Sequence, residues 1–284
     1  MKILKILKCA IHPIVFFKSK KIKKYTFASD KLYISKKERS FKFKKNQLKN
    51  INLVVDHCKK IFNEKKTSIL ENYKPPTHVV IGPRGDKKIN VQQIKELKPI
   101  LKFAAQPTLM GLVSNYIGQI PIMVSATLTY TKAMKPTQKP INFQKFHTDM
   151  LDESLLHLVI PIDNISVKNG PFTYIDAPMS SKIMKKIRYE GGRVEDNIIK
   201  KYAKKKNIVK LSGNRGQAWL MSPYYSFHMG ARVEEGHRLM LIICYGSPNM
   251  AIEHERYLHR PDIQEALLGK NSSELEKNLL RLYN

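Results

Sequence analysis

The chain has 284 residues, of which 42% are hydrophobic, and its 51 Lys and Arg against 23 Asp and Glu give a formal net charge of +28. This length and hydrophobic content are those of a globular protein that can bury a sizeable core as one large domain. Its cysteines, Cys9, Cys58 and Cys244, are odd in number and far apart. They therefore exclude a disulfide framework and a cysteine zinc site, and favour a reducing, cytoplasmic compartment.

The positive charge is concentrated at the N-terminus, since residues 1–60 carry 18 Lys and Arg against three Asp and Glu. The longest uncharged run in the first 25 residues, residues 9–17, is too short to span a bilayer and lacks a signal-peptide cleavage site. A basic amphipathic segment of this kind can bind an anionic membrane surface, or it can pack as an ordinary N-terminal helix and strand. Nucleic acid is a less favoured partner, because the chain contains no recognisable nucleic-acid-binding motif. We predict that residues 1–75 form a Lys-rich region that packs on or precedes the core.

The next predicted elements lead into a sheet. Residues 79–85 are expected to form a short strand and a turn, and residues 90–102 a helix that Pro99 should kink or shift. A second helix is predicted over 107–118, because proline begins it and glycine ends it. A β-rich strand follows over 120–131.

The second half of the chain is rich in predicted strands. Residues 143–149 look extended, and residues 154–162 form a continuous apolar run typical of a buried strand. Further short strands are predicted over 172–176, 217–221, 224–229 and 238–245, with a Lys-rich helical insertion at 178–206 and C-terminal helices at 261–268 and 272–282. Many short strands separated by Gly and Pro turns indicate a sandwich or barrel of the jelly-roll type.

Chemically, the most informative residues are His147, Asp149, His228 and Arg238. On a strand, His147 and Asp149 point to the same side of the sheet, and His228 can complete a face of two histidines and one carboxylate. This ligand set leaves coordination positions open and is typical of non-haem Fe(II) oxygenases. Arg238 adds a guanidinium that can grip a carboxylate. The hypothesis requires the imidazole of His228 to lie within about 6 Å of the other two ligands.

These residues, in this order, resemble the phytanoyl-CoA dioxygenase family of 2-oxoglutarate oxygenases. The resemblance covers residues 90–248 and includes Gln144, the run LVIPIDNISVKNGPFTYI, and Gly230 two residues after His228. It implies a double-stranded β-helix core, jelly-roll or cupin-like, within an oxygenase domain over residues 76–284. It further implies that His147, Asp149 and His228 hold Fe(II), that Arg238 pairs with the distal carboxylate of 2-oxoglutarate, and that Gln144 lies near this cosubstrate.

Two departures from the family pattern concern the surroundings of the site. Residues 176–181 read DAPMSS where the family often has a Pro-Gly-Ser-His sequence, which affects the local loop and substrate contacts. Gly230 stands where a hydroxyl residue often assists cosubstrate binding. Asp149 argues against halogenation, because halogenating relatives replace this carboxylate with a small residue. His157, alternating within an apolar strand, is expected to be a satisfied core histidine.

The predicted activity is O2-dependent hydroxylation of a small metabolite or of a lipid- or sugar-conjugated intermediate, with release of succinate and CO2. The basic surface is compatible with an anionic or conjugated substrate. Two alternatives remain open at the level of sequence. One is a jelly-roll module that binds ligands without catalysis, and the other is a basic peripheral membrane or nucleic-acid-binding protein whose triad is coincidental.

Overall fold

The computed structural model describes residues 32–82, 91–248 and 261–280, and the nine strands in these ranges form two antiparallel sheets. The strands are β1 Ser40–Lys42, β2 His78–Ile81, β3 Ile122–Lys132, β4 Leu156–Pro161, β5 Thr173–Ile175, β6 Ile208–Lys210, β7 Trp219–Met221, β8 His228–Met229 and β9 His237–Gly246. The helices are α1 Ile51–Glu71, α2 Val91–Ala104, α3 Pro107–Ile117, α4 Ala177–Ile187, α5 Asp196–Tyr202, α6 Pro261–Leu267 and α7 Glu274–Leu279.

The sheets differ in size. The major sheet has the order β1-β7-β4-β9-β3-β2, and the minor sheet has the order β6-β5-β8. A bridge between His147 and His228 adds the segment around His147 to the free side of β8. From β3 onward the chain passes repeatedly between the two sheets, which is the connectivity of a double-stranded β-helix. The predicted core fold, with helices around it, is confirmed.

The period-2 alternation of the long strands decides what faces the space between the sheets. In β9, Leu239, Leu241 and Ile243 join the large core outside the major sheet, whereas Met240 packs between the sheets. Arg238 has the same parity as Met240, so its side chain also points between the sheets. In β4 the same alternation turns His157 inward.

Three helices cover the outer face of the major sheet. Buried residues of α1, α2 and α3 share one hydrophobic cluster with β3, β4 and β9. The predicted limits of α3 are confirmed, since Pro107 begins it and Gly118, with φ of +80°, ends it in the left-handed conformation that glycine favours. Helix α2 continues through Pro99. The major sheet is therefore buried on both faces along most of its length.

The predicted helical insertion is present as α4 and α5. Asp176 caps α4 by accepting a hydrogen bond of 2.8 Å from the backbone N–H of Met179. Residues 176–181 thus cap and begin α4. Within α4, the Ser180 hydroxyl donates to Ile175 O and accepts from the backbone N–H of Phe227. These bonds attach the insertion to β5 and to the residue before β8.

Several predicted limits are wrong. Residues 143–149 are not a continuous strand, because Asn142–Gln144 form a 3-10 turn and only single bridges follow. Strand β8 covers His228–Met229 alone, since residues 223–225 form a turn and Ser226 a bend. Strands β1 and β6 were not anticipated; each is only three residues long and has no fully buried residue. The basic segment for which membrane-surface binding and ordinary packing both remain open lies largely in residues 1–31, outside the described ranges. No helix in the described ranges is long and apolar enough to cross a membrane.

Candidate metal centre

The two candidate histidine ligands are placed by their own backbones. His147 and His228 exchange a reciprocal pair of hydrogen bonds, 3.0 Å from His147 N to His228 O and 2.8 Å from His228 N to His147 O. Directly opposed residues in an antiparallel pair project side chains to the same face. The two imidazole centroids consequently lie 4.3 Å apart, inside the separation that the sequence hypothesis requires. One short bridge thus brings together residues about eighty positions apart in the chain.

Both imidazoles are oriented in the same way. Nδ1 of His147 lies 2.9 Å from Lys145 O, and Nδ1 of His228 lies 3.1 Å from Ser226 O. A carbonyl accepts only, so in each ring Nδ1 carries the proton and donates it. The lone pair of Nε2 is then available to a metal.

Asp149 completes the group. Its carboxylate oxygens lie 3.7 Å from Nε2 of His147 and 3.7 Å from Nε2 of His228. One ligand atom from each of the three residues lies within 4.8 Å of the others. Atoms that share an ion at about 2.0–2.2 Å are separated by about 3–4 Å, so modest side-chain adjustment suffices. The backbone N–H of Asp149 donates to Pro223 O at 3.0 Å, which holds this residue against the turn before β8.

The ionisation of the group suits a divalent cation. Burial, followed by the charge of His228, lowers the pKa of His147 to about 4. Burial also lowers the pKa of His228. Burial alone would raise the pKa of Asp149, but the imidazoles of His228, His157 and His147 together bring it below its ordinary value. At neutral pH the group therefore offers two neutral imidazoles and one carboxylate, the protonation states in which these side chains bind metals.

Arg238 lies against the same space, on the major sheet. A Cβ added to Gly230, two residues after His228, would meet Arg238 Nη2 at 3.6 Å. The residue is 4% exposed, its Nη1 donates to Gly170 O at 3.2 Å, and its Nε has no hydrogen-bond partner. Burial lowers the pKa of Arg238 to about 10, and no described carboxylate forms an ion pair with it. A solvated cation at the start of a strand is thereby excluded, and a buried guanidinium without a counter-ion favours an anionic ligand.

His157 is a site residue that the sequence did not identify. It is buried as expected, but it is not satisfied, because its Nδ1 has no partner. Its Nε2 lies 3.5 Å from Oδ2 of Asp149, and its ring lies 6.0 Å from that of His228. It is not part of the group within 4.8 Å, so it faces the carboxylate without sharing the position of the other ligands. The alternation of β4 could have shown that its side chain points between the sheets. Because its neighbours in the strand are apolar, it was interpreted as a core residue.

The side chain of Gln144 is held by hydrogen bonds within the protein. Its amide nitrogen donates to Ala231 O at 2.9 Å, and its side-chain oxygen accepts from the backbone N–H of Ile141 at 3.0 Å. Its backbone oxygen accepts from Arg232 Nε at 2.6 Å. The side chain is fully buried and its polar atoms are used within the protein. Gln144 therefore ties the segment before His147 to the loop after β8, and it does not line the cavity at the triad.

A cavity of about 280 Å³ opens between the sheets at these residues. Its wall combines the triad, Arg238 and His157 with apolar and small side chains, namely Thr77, Val79, Thr129, Phe143, Phe172, Gly230 and Ile242. The ring of Phe172 stacks on that of His228, with centroids 5.5 Å apart and planes 12° from parallel. The cavity thus has ligand atoms on the minor sheet, a cation on the major sheet and apolar surface between them.

Comparison with known proteins gives only distant likenesses. No family model matches the sequence, and no curated protein is significantly similar to it. Among solved structures, EctD from S. alaskensis with bound Fe is 10% identical, with a TM-score of 0.49 over 74% of this chain and 73% of that one. HygX from Streptomyces hygroscopicus, with nickel and 2-oxoglutarate bound, is 10% identical, with a TM-score of 0.47 over 75% and 84%. The non-heme alpha ketoglutarate dependent carbocyclase SnoK is 13% identical, with a TM-score of 0.45 over 75% and 84%. These identities and TM-scores are too low to assign an activity, so the activity has to be inferred from the residues of this chain.

Proposed function

We propose that this protein is an Fe(II)- and 2-oxoglutarate-dependent dioxygenase that hydroxylates a small molecule and releases succinate and CO2. His147, Asp149 and His228 would hold the iron, and Arg238 would bind the distal carboxylate of 2-oxoglutarate. The observation that carries the proposal is the convergence of two imidazole nitrogens and one carboxylate oxygen within 4.8 Å. Beside them lies a buried guanidinium that forms no ion pair with any described carboxylate. A metal alone would explain the triad, but only an anionic cosubstrate also accounts for Arg238.

Each residue has a definite task in this assignment. Bound Fe(II), with 2-oxoglutarate and O2, supplies oxidising power that amino-acid side chains lack. The carbonyl oxygens of Lys145 and Ser226 hold the two imidazoles with Nε2 toward the metal position. Arg238 fixes the far end of 2-oxoglutarate, and the apolar side chains around it, including Phe172, exclude water from the reacting atoms.

The proposal extends to the organisation of the chain. Residues 76–284 would form the oxygenase domain, with the Lys-rich residues 1–75 packed on or preceding it. The insertion that contains α4 and α5 adjoins the metal-bearing segment, so we expect it to determine which substrate enters. The substrate would be a small metabolite or a lipid- or sugar-conjugated intermediate, with an anionic group favoured by the +28 net charge of the chain.

An anaerobic titration with Fe(II) and 2-oxoglutarate tests the assignment without a known substrate. We expect the wild-type protein to develop the visible metal-to-ligand charge-transfer band of an iron–keto acid complex. His147→Ala and Asp149→Ala should abolish it, since each removes one of three protein ligands. His237→Ala is the matched control, because His237 is exposed and pairs with Asp163 away from the triad.

The result that would remove the assignment is also clear. If the Asp149→Ala protein binds Fe(II) and 2-oxoglutarate as the wild type does, the triad is not the metal site. If instead the wild type forms the iron–keto acid complex and the variants do not, the next experiment is a screen of candidate metabolites for substrate-dependent succinate release.

A further inference from the structure

Arg193, in the loop between α4 and α5, stands beside the candidate metal centre. The backbone N–H of Val194 donates to Phe146 O at 2.7 Å in an antiparallel bridge. Phe146 and Val194 both point into the hydrophobic cluster beneath the insertion helices. His147 follows Phe146, and Arg193 precedes Val194. Since side chains alternate along an extended segment, both point to the other face, and the antiparallel register extended by one residue places Arg193 opposite His147 on the cavity face.

The electrostatics agree with this placement. The charge of Arg193 reaches all three members of the triad, and it contributes to lowering the pKa of His147, Asp149 and His228. Arg193 is itself exposed, so it stands at the edge of the centre, where solvent or a ligand can reach it.

The two acids that follow Arg193 in sequence pair with other cations. Glu195 pairs with Lys145, and Asp196 holds Arg232 through two hydrogen bonds. Within the ranges that the structure describes, Arg193 forms no ion pair of its own. The carboxylates of Glu195 and Asp196 are thus neutralised by other cations, and neither is available to Arg193.

Arg193 also lines a second cavity, of about 260 Å³, which we call the arginine cavity. Arg188, Tyr189 and Glu190 form part of the same wall, so the wall contains two cations and one anion. The Tyr189 hydroxyl accepts a hydrogen bond of 3.2 Å from the backbone N–H of Thr148 and donates one of 2.8 Å to Gly192 O. Because Thr148 lies between His147 and Asp149, Tyr189 attaches this cavity directly to the metal-bearing segment.

We propose that the arginine cavity binds an anionic group of the substrate, a phosphate or a carboxylate, with Arg193 as the residue that determines specificity. The inference rests on the proposed function and adds a substrate class and a location to it. The physical reason is that a guanidinium recognises an oxyanion through parallel charge-assisted hydrogen bonds. Arg238 is reserved for the cosubstrate, so an anionic substrate requires a second guanidinium, and Arg193 is placed to supply it beside the centre.

Nuclear relaxation measures this binding with simple probes. The protein is loaded with sub-stoichiometric Mn(II) in place of iron and saturated with 2-oxoglutarate, with Zn(II)-loaded protein as the diamagnetic blank. Inorganic phosphate is followed by its ³¹P relaxation and carboxyl-labelled acetate by its ¹³C relaxation. We expect Mn(II) to accelerate the relaxation of at least one of the two, because the Phe146–Val194 bridge sets Arg193 opposite His147. The better probe identifies the chemistry of the group.

Two variants decide whether Arg193 is responsible. Arg193→Gln should lower the relaxation enhancement about tenfold, the loss expected when a charge-assisted hydrogen bond is removed. Lys200→Gln is the matched control, since Lys200 is an exposed cation on α5 of the same insertion and does not line the cavity. An equal loss in both variants, or no Mn(II)-dependent relaxation of either probe in the wild type, would overturn the proposal.

Failure of the proposed function gives a different result. If the electron paramagnetic resonance spectrum of Mn(II) is unaffected by the protein, the metal centre is wrong, whatever the probes do. The ³¹P and ¹³C line widths of the same two probes with metal-free protein then decide the anion site independently. Broadening that Arg193→Gln abolishes supports it, and broadening that the variant leaves unchanged refutes it.

Discussion

The two sheets of this protein differ in strand length and in how their strands are paired. In the major sheet, β3 and β9 are paired over ten residue positions, and helices cover the outer face. In the minor sheet no strand exceeds three residues, and the segment that carries His147 is joined by single bridges. The triad nevertheless lies on the minor side, whereas the major sheet contributes Arg238 and His157. Stability and metal chemistry are thus largely separated between the two faces of one cavity.

This difference has a physical basis. Long strands that are buried on both faces gain most of the hydrophobic stabilisation, and they place Arg238 and His157 on backbone that moves little. Metal ligands need to accommodate an ion and to exchange cosubstrate, which short strands and turns permit. The ligands are held by hydrogen bonds to Lys145 O, Ser226 O and Pro223 O rather than by extended pairing. Substitutions on the two sides should therefore have different consequences.

The largest expected change in stability is in the core outside the major sheet. Leu241→Ala should lower the free energy of unfolding by about 2–5 kcal/mol, because Leu241 is fully buried among the covering helices. Its side chain points away from the cavity, so the Fe(II) affinity of the folded protein should change by less than about twofold. Chemical denaturation and metal titration measure the two effects. Leu53→Ala, at a position 67% exposed, is the control and should leave both nearly unchanged.

Arg238→Gln should weaken ligand binding strongly and leave the stability of the ligand-free protein unchanged or higher. The affinity for 2-oxoglutarate should fall about 100-fold, since truncating one partner of a buried charge pair typically costs about 2–5 kcal/mol. The free energy of unfolding of the ligand-free protein should stay constant or rise, because a buried charge without a counter-ion is removed. Calorimetry with the Fe(II)-loaded protein measures the first, and denaturation the second. An equal loss of 2-oxoglutarate affinity in Arg232→Gln would contradict the assignment, because Arg232 pairs with Asp196 instead.

His157→Ala tests whether the major sheet also positions a metal ligand. With Oδ1 of Asp149 on the metal, an N–H at Nε2 of His157 can donate to Oδ2, and loss of such an outer partner typically costs 10–100-fold in metal affinity. We expect a loss of about tenfold in Fe(II) affinity and a shifted charge-transfer band. His157→Gln should restore part of both, since its amide can also donate. Unchanged affinity in His157→Ala would make this histidine a packing residue only.

The last expected effect is the pH dependence of the stability of the metal-free protein. Burial lowers the folded-state pKa of His147 to about 4, whereas the unfolded chain binds this proton near pH 6.5. Unfolding therefore takes up a proton between these values, and stability that is present above about pH 6.5 is lost as the pH falls toward 4, by up to about 3 kcal/mol. His147→Gln should flatten this part of the stability curve. Identical curves for the wild type and the variant would show that the triad does not contribute to it.

The site residues that could be predicted are those recognised from a short stretch of sequence. The spacing of His147 and Asp149 and the position of Arg238 at the start of an apolar strand are visible in the sequence, and the structure brings all three to one cavity with His228. The role of Gln144 near the cosubstrate stays a prediction, because its position in sequence says nothing about which partners its amide has. His157 was overlooked because burial in an apolar strand and exposure to a cavity produce the same alternating pattern.

The residue pattern by itself determined that long apolar strands and a Pro-to-Gly helix would form, because these depend on side-chain alternation and on local backbone preferences. It also determined which residue types were available to bind a metal and an oxyanion. Only the tertiary structure decided that a single bridge would set His147 against His228, that Asp149 would face His157, and that Val194 would pair with Phe146. Those relations join segments distant in sequence, and their geometry depends on how the two sheets close around the cavity.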